Sequence, residues 1–218
     1  MFDFLRKAVR AARNEGKPEL RQEAATPAGL RLGGFVSVDT LPFKMQAGQL
    51  AFTAPEGMQK IEAYGRADLG AAAELHRYYL SDDSWIQVNT TADSIADIKL
   101  WTFADTRNPA TRADFDRWLE RGSEIGGFTA TFAGYDYRRV WGEDAEWAPP
   151  VHFAERVYTR PDDIPEYTTE HHCMLYEREV EGGRRMEYLF ISAELTGEDY
   201  SVVYSVGVDI TLADLSIT

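Results

Sequence analysis

The chain has 218 residues, 44% of them apolar and 12% aromatic, enough for a real core in one large domain or two small ones. No apolar run approaches the ~18 residues that a membrane-spanning helix needs, the N-terminus lacks the apolar stretch and cleavage site of a secretory signal, and one cysteine permits no internal disulfide. These features set the expectation of a cytoplasmic protein, and a net charge of −13 argues against nucleic acid as a partner.

The charge is uneven. Residues 1–22 carry Arg6, Lys7, Arg10, Arg13, Lys17 and Arg21 against Asp3, Glu15 and Glu19, a surplus of +3 that leaves −16 on the rest. Residues 1–29 read as a basic amphipathic helix followed by a linker. Phe2, Leu5, Ala8, Val9 and Ala12 recur at helical spacing, and Arg6, Lys7, Arg10 and Arg13 lie off that stripe. Gly16 and Pro18 end the pattern. Opposed apolar and basic faces suit an anionic membrane surface or a partner's groove. Phe2, Leu5, Arg6, Lys7, Val9, Arg10 and Arg13 are therefore the candidate contact residues, with packing on the body as the alternative.

Residues 30–218 read as one β-rich domain. Strand-like runs follow in order: "GGFVSVDT", "QLAFTA", "QKIEAYGRADLG", "AELHRYYLS", "SWIQVNTT" and "ADIKLWTFAD". "TRADFDRWLERGSE" is the one clear helix, with Thr111 placed to cap it and Phe115, Trp118 and Leu119 on its apolar face. Strands resume with "YDYRRVWG", "VHFAERVYT", "TEHHCMLYEREV", "RRMEYLFISAEL" and "YSVVYSVGVDI". Tight turns are expected at Ser81–Asp83, Glu181–Arg184 and Thr196–Glu198. The expected fold class is α+β and β-rich: mostly antiparallel sheets built from hairpins, one covering helix, an N-terminal amphipathic helix, and a meander over the final three strands. Barrel and sandwich both satisfy this pattern.

The stretch "EHHCMLYERE" concentrates two of the four histidines and the only cysteine, Cys173. In a strand, successive side chains alternate between faces. His171 and Cys173 then share one face with Leu175, while Glu170 and His172 share the other with Met174 and Tyr176. The run cannot gather on one ion by itself. A zinc site would need His171 and Cys173 joined by His152, His76 or a carboxylate such as Glu155. A Cys–His nucleophile pair would need a base brought from His76 or His152, because same-face neighbours lie roughly 6–7 Å apart. The plainer reading makes Cys173 a small buried hydrophobe and leaves the chain without a catalytic, metal or cofactor site.

Asp82 and Asp83 fall at a hairpin tip, where Asp bonds nearby backbone groups. No phosphate-loop, dinucleotide, zinc-protease or nucleophile-elbow motif occurs. Tyr135, Tyr137, Trp141 and Trp147 offer a ligand or partner surface, with core packing as the alternative. A small-molecule pocket lined by Tyr78, Trp85, Trp101 and Tyr137 is a further possibility.

The strings "LGGFVSVDTLPFK", "IEAYGRADLG", "LHRYYLSDDSWIQV", "DIKLWTFADT", "YDYRRVW", "HCMLYERE" and "EYLFISAE" with "VGVDI" together resemble the uncharacterised bacterial YjfK-like proteins, a domain-of-unknown-function family. The resemblance runs from about Leu30 to the end and carries no catalytic motif. It implies the company of membrane-stress proteins of the phage-shock type, small membrane proteins and ATP-grasp ligases resembling glutathionylspermidine synthase. The resulting expectation is a non-catalytic accessory protein that binds other proteins, cytoplasmic or peripheral to the inner membrane. An enzyme with a His/Cys site and a small-molecule binder are the alternatives.

Overall fold

A computed structural model of the chain describes residues 27–218, apart from Asp93, Glu143, Asp144, Asp162, Asp163, Glu181, Gly183 and Arg184. The N-terminal helix and its contact residues, Phe2 to Arg13, lie outside the described residues. In chain order the elements are β1 (Phe35–Val38), α1 (Leu41–Lys44), β2 (Met58–Gly70), β3 (Ala73–Leu80), β4 (Ser84–Thr91) and β5 (Ser94–Arg107). Then come α2 (Arg112–Asp116), β6 (Thr129–Phe132), β7 (Tyr135–Arg139), β8 (Val151–Tyr158) and β9 (Tyr167–Glu179). The chain ends with β10 (Met186–Thr196), β11 (Asp199–Ile210) and β12 (Leu215–Ile217).

Strands β2, β3, β4, β5, β11, β10, β9 and β8 pair in that order, and β8 pairs back onto β2. The result is a closed antiparallel barrel of eight strands. Closure leaves no free edge along the path. β1 and β12 extend β2 beyond the seam, and β7 and β6 extend β9.

Alternation sorts the side chains into two apolar clusters. Trp85, Trp101, Phe153, Cys173, Leu175 and Phe190 meet inside the barrel. Tyr78, Ile86, Leu100, Met174, Tyr176, Leu189 and Val206 face outward under a second layer that includes Leu30, Val36, Phe43, Phe52, Phe115, Ile125 and Tyr137. Two glycines make the inner packing possible. A Cβ on Gly207 would stand 2.4 Å from the Trp101 ring, and one on Gly65 would stand 1.7 Å from Glu155 Oε1.

Glu187, fully buried on the outer side, clamps this second layer to the wall. It accepts from Phe52 N at 2.8 Å, Tyr137 Oη at 2.8 Å and Arg178 Nε at 2.7 Å. That contact corrects one reading: "QLAFTA" is a loop. Leu50 and Phe52 are buried there, but the Phe52 amide goes to a carboxylate instead of a ladder.

The α+β expectation is also corrected. α1 spans four residues, and α2 spans five with a 3-10 turn at Arg117–Leu119. Both decorate a β-barrel. Thr111 does cap α2, accepting from Asp114 N. The meander of β9, β10 and β11 is present, with β12 added after it.

Candidate functional site

Four strands place a charged residue in phase with apolar inward neighbours. On β3 it is Arg77, between Leu75 and Tyr79; on β8 it is Glu155, between Phe153 and Val157. On β9 it is His171, and on β10 it is Glu194, two residues past Ser192. All four are buried. Glu155 is the hub. Its Oε2 accepts from Arg77 Nη1 at 2.9 Å and lies 2.8 Å from His171 Nε2, and its Oε1 accepts from Tyr79 Oη at 2.8 Å. His171 Nδ1 lies 3.0 Å from Ser192 Oγ and 3.5 Å from Glu194 Oε1. The Arg77 guanidinium is also held among rings, 5.2 Å from Phe190, 5.4 Å from Phe153 and 5.8 Å from Trp85.

The electrostatics follow from burial opposed by partners. Burial alone would raise the Glu155 carboxyl, but Arg77, then His171 and Tyr79, hold it down to about 2. Burial alone would lower the His171 imidazole, yet Glu194 and Glu155 raise it above its ordinary value. The centre therefore holds the Arg77 guanidinium against the Glu155 carboxylate, and its two carboxylate neighbours favour the charged form of His171. Burial, reinforced by Glu155, pushes the Tyr79 and Tyr167 phenols up, so both stay neutral.

A cavity of about 30 Å³ adjoins the centre, lined among others by Tyr79, Trp85, Phe103, Tyr167, Glu194 and Thr196. That volume admits water-sized groups. Trp85 Nε1 and Ser205 Oγ, both in its wall, have no hydrogen-bond partner among the described residues.

The residues singled out from sequence separate. His171 and Cys173 do share the inner face, and His172 points out. Glu155 does meet His171, but His76 and His152 sit on the outer face. His76 bonds Tyr64 Oη at 2.7 Å, and His152 stacks on His172. Cys173, fully buried, donates to Val151 O at 3.4 Å, and burial pushes its thiol up, so it stays protonated. Of the pocket proposed from Tyr78, Trp85, Trp101 and Tyr137, only Trp85 lines the cavity; Tyr78 and Tyr137 fall in the outer cluster. Of the aromatic group Tyr135, Tyr137, Trp141 and Trp147, only Tyr137 is fully buried, and the other three are half-buried. Tyr137 is buried against Glu187, Arg178 lies over Tyr135, Trp141 packs edge-on to Phe190, and Trp147 abuts Gly126. Asp83 takes the turn at φ 67°, as a hairpin tip requires.

Arg77, Tyr79, Ser192 and Glu194 were not singled out from sequence. Their signal was a charge or hydroxyl falling on the apolar phase of a strand, as in Leu75–Arg77–Tyr79.

Fold and centre together define a closed antiparallel β-barrel with a buried ion pair and its hydrogen-bonded partners at the core. The profile of the family described as "Protein of unknown function (DUF2491)" matches residues 3–216, and the chain belongs to that family. It is 27% identical over 214 residues to "Uncharacterized protein YjfK" of Escherichia coli (strain K12), an alignment covering 93% of this chain and 95% of the relative. No solved structure matches the chain.

Proposed function

We propose that this is a non-catalytic accessory protein that works through its surface by binding other proteins, at the cytoplasmic face of the inner membrane in an envelope-stress system. The observation that carries the reading is the commitment of the interior. Arg77, Glu155, His171 and Glu194 are engaged with one another, and the adjoining space is about 30 Å³. A catalytic site needs a base or nucleophile whose charge is available, with room for substrate beside it. The neutral, enclosed Cys173 thiol fits the same reading.

On the outer side, Phe35 is 44% exposed and Met58 is 60% exposed, on the ribbon where β1 pairs with β2. Leu41, Met45 and Leu212 are exposed nearby in sequence or pairing. Apolar side chains left in water suit contact with another protein. Among the described residues no helix is long and apolar enough to cross a membrane, so membrane contact in this reading is peripheral and falls to the basic segment from Phe2 to Arg13. Partners of the phage-shock membrane-stress type are the class to test first.

The test is vesicle flotation and co-purification with the full chain and with a chain lacking residues 1–16. Loss of both associations on truncation is expected. Truncation that changes neither overturns the membrane and docking reading.

A further inference from the structure

Every strand of the barrel has a paired neighbour on each side, but the ladder between β8 and β2 holds only the pairs Tyr64–Tyr158, Gly65–Val157 and Arg66–Arg156. Past Arg66, β2 continues through residues 67–70, and β8 has already run through residues 151–155; no register pair joins these two stretches. Each is paired on its other side, the first with β3 and the second with β9. Alternation puts Leu69 on the inward phase with Ala67, and Val151 on the inward phase with Phe153. Ala67 and Phe153 are buried, yet Leu69 is 47% exposed and Val151 is 41% exposed. We propose that these two flanks form a docking groove for one extended segment of a partner protein. The segment adds as a strand along β8, lays apolar side chains on Leu69 and Val151, and sets a carboxylate against Arg156. The proposal rests on the partner-binding reading above and names the form of the contact.

The backbone and the apolar phase agree on the occupant. A strand laid on an unladdered flank supplies main-chain partners, and its alternate side chains reach the face below. Asp68 Oδ1 already accepts from Gly70 N at 2.8 Å on the β2 side, which leaves β8 as the strand to pair.

Charge fixes the rest. Arg66 and Arg156 stand directly opposite each other on the outward face, at the end of the groove where the ladder begins. Like charges so placed destabilise a sheet. Glu74 holds Arg66, while the exposed Arg156 guanidinium makes no ion pair with any other described residue. A strand antiparallel to β8 whose first residue lies opposite Ala154 places that residue diagonally from Arg156, within reach of a long side chain. The next residues then fall opposite Phe153, His152 and Val151 in turn. The recognised segment therefore reads, from its N-terminal end, an acidic residue followed by apolar and small polar residues in alternation.

The experiment is a nuclear magnetic resonance titration of the isotope-labelled full chain with the acetylated, amidated hexapeptide EVTVTV, repeated with QVTVTV. Saturable shifts are expected in the amides of residues 67–70 and 151–155, with EVTVTV bound roughly 2- to 5-fold more tightly, the range of an exposed ion pair. Arg156→Gln, at an exposed position, is expected to erase that preference. Val151→Lys is expected to weaken both peptides about 10-fold, the worth of one buried valine. No saturable binding, equal affinity for the two peptides, or shifts centred on the outer strands β6 or β12 overturns the proposal. Protection of residues 151–155 in the free chain that vanishes when residues 1–16 are removed assigns the groove to the chain's own terminus, and a dimer of the free chain that hides these amides assigns it to a second copy. Either result overturns the partner reading of the groove. Failure here leaves the flotation and co-purification test standing, because that test reads residues 1–16.

Discussion

Glu155 receives Arg77, Tyr79 and His171 on two oxygens, inside a wall that has left it the space of a glycine side chain at Gly65. Removing its charge strands the buried Arg77 guanidinium, and breaking a buried pair in this way costs roughly 3–5 kcal/mol. Glu155→Gln is therefore expected to lower the urea midpoint by an amount equivalent to that loss. Gly65→Ala is expected to destabilise as well, since the added methyl overlaps Glu155 Oε1 and the carboxylate is fixed by its partners. The pH dependence has two opposite signs. Glu155 is held down to about 2, so its contribution is present above the unfolded carboxylate range and is lost as pH falls towards 2. His171 is raised, so its contribution is complete below the unfolded value of about 6.5 and disappears as pH climbs through the folded value. Within that window stability falls with rising pH, with a slope of at most about 1.4 kcal/mol per pH unit for one proton. Urea unfolding of the parent chain and of His171→Gln between pH 6 and pH 9 checks this: the parent loses its advantage on the alkaline side. A pH-independent difference between the two would remove the charged imidazole from the account.

At the scale of elements, the hairpins were legible because alternation and turn chemistry act locally. β3, β4 and β8 fall within runs read as strands, and β2, β5, β9, β10 and β11 each match such a run and reach one or two residues beyond it. β6 and β12, of four and three residues, show little period and few strand-favouring apolar side chains, whereas the equally short β1 is marked by Phe35, Val36 and Val38. The loop at Leu50–Phe52 was misread because its alternation reflects burial under Glu187, a partner 135 residues away. The same distance hid the centre: Arg77 and Glu155 are 78 residues apart, and only barrel closure makes them neighbours. Sequence could mark each as a charge on an apolar phase, but pairing them needs the register. Glu187 gives this scale its test. Glu187→Gln is expected to cost about 3 kcal/mol by unpairing Arg178, and to speed amide exchange at Phe52 and across β6–β7 before the barrel strands respond. Uniform acceleration across all strands would show that the second layer and the barrel open together. Two hairpin tips supply the opposite sign. Ala72 at φ 60° and Ala92 at φ 48° hold left-handed conformations that glycine adopts freely, and the tips are tied by Ala92 N to Ala72 O. Ala92→Gly is expected to raise stability by about 0.5–1 kcal/mol in the same urea assay.

Across the whole molecule the barrel has one thin seam. β9 and β10 share ten register pairs, whereas β8 meets β2 through three, Tyr64–Tyr158, Gly65–Val157 and Arg66–Arg156. On the inner side of that seam, Glu155 reaches over β2 to Arg77 and Tyr79 on β3. The ionic centre thus latches the strand whose own ladder is shortest, which explains why costly charges stand where apolar residues would fill the space. Cys173 reports on the latch, because it faces inward opposite Val151 of β8 and is fully buried. Its thiol becomes accessible when β8 lifts or the whole barrel unfolds. Labelling with a thiol reagent in native buffer is therefore expected to be slow, at a rate set by the free energy of opening the seam. Glu155→Gln removes the latch, and a loss of 3–5 kcal/mol on opening corresponds to faster labelling by about two to three and a half orders of magnitude. Val151→Ala, which trims the outer edge of the same contact without touching the ion pairs, is expected to change the rate far less. Rapid labelling of the parent chain, or equal rates in the parent and in Glu155→Gln, would mean that β8 is held by its ladder alone.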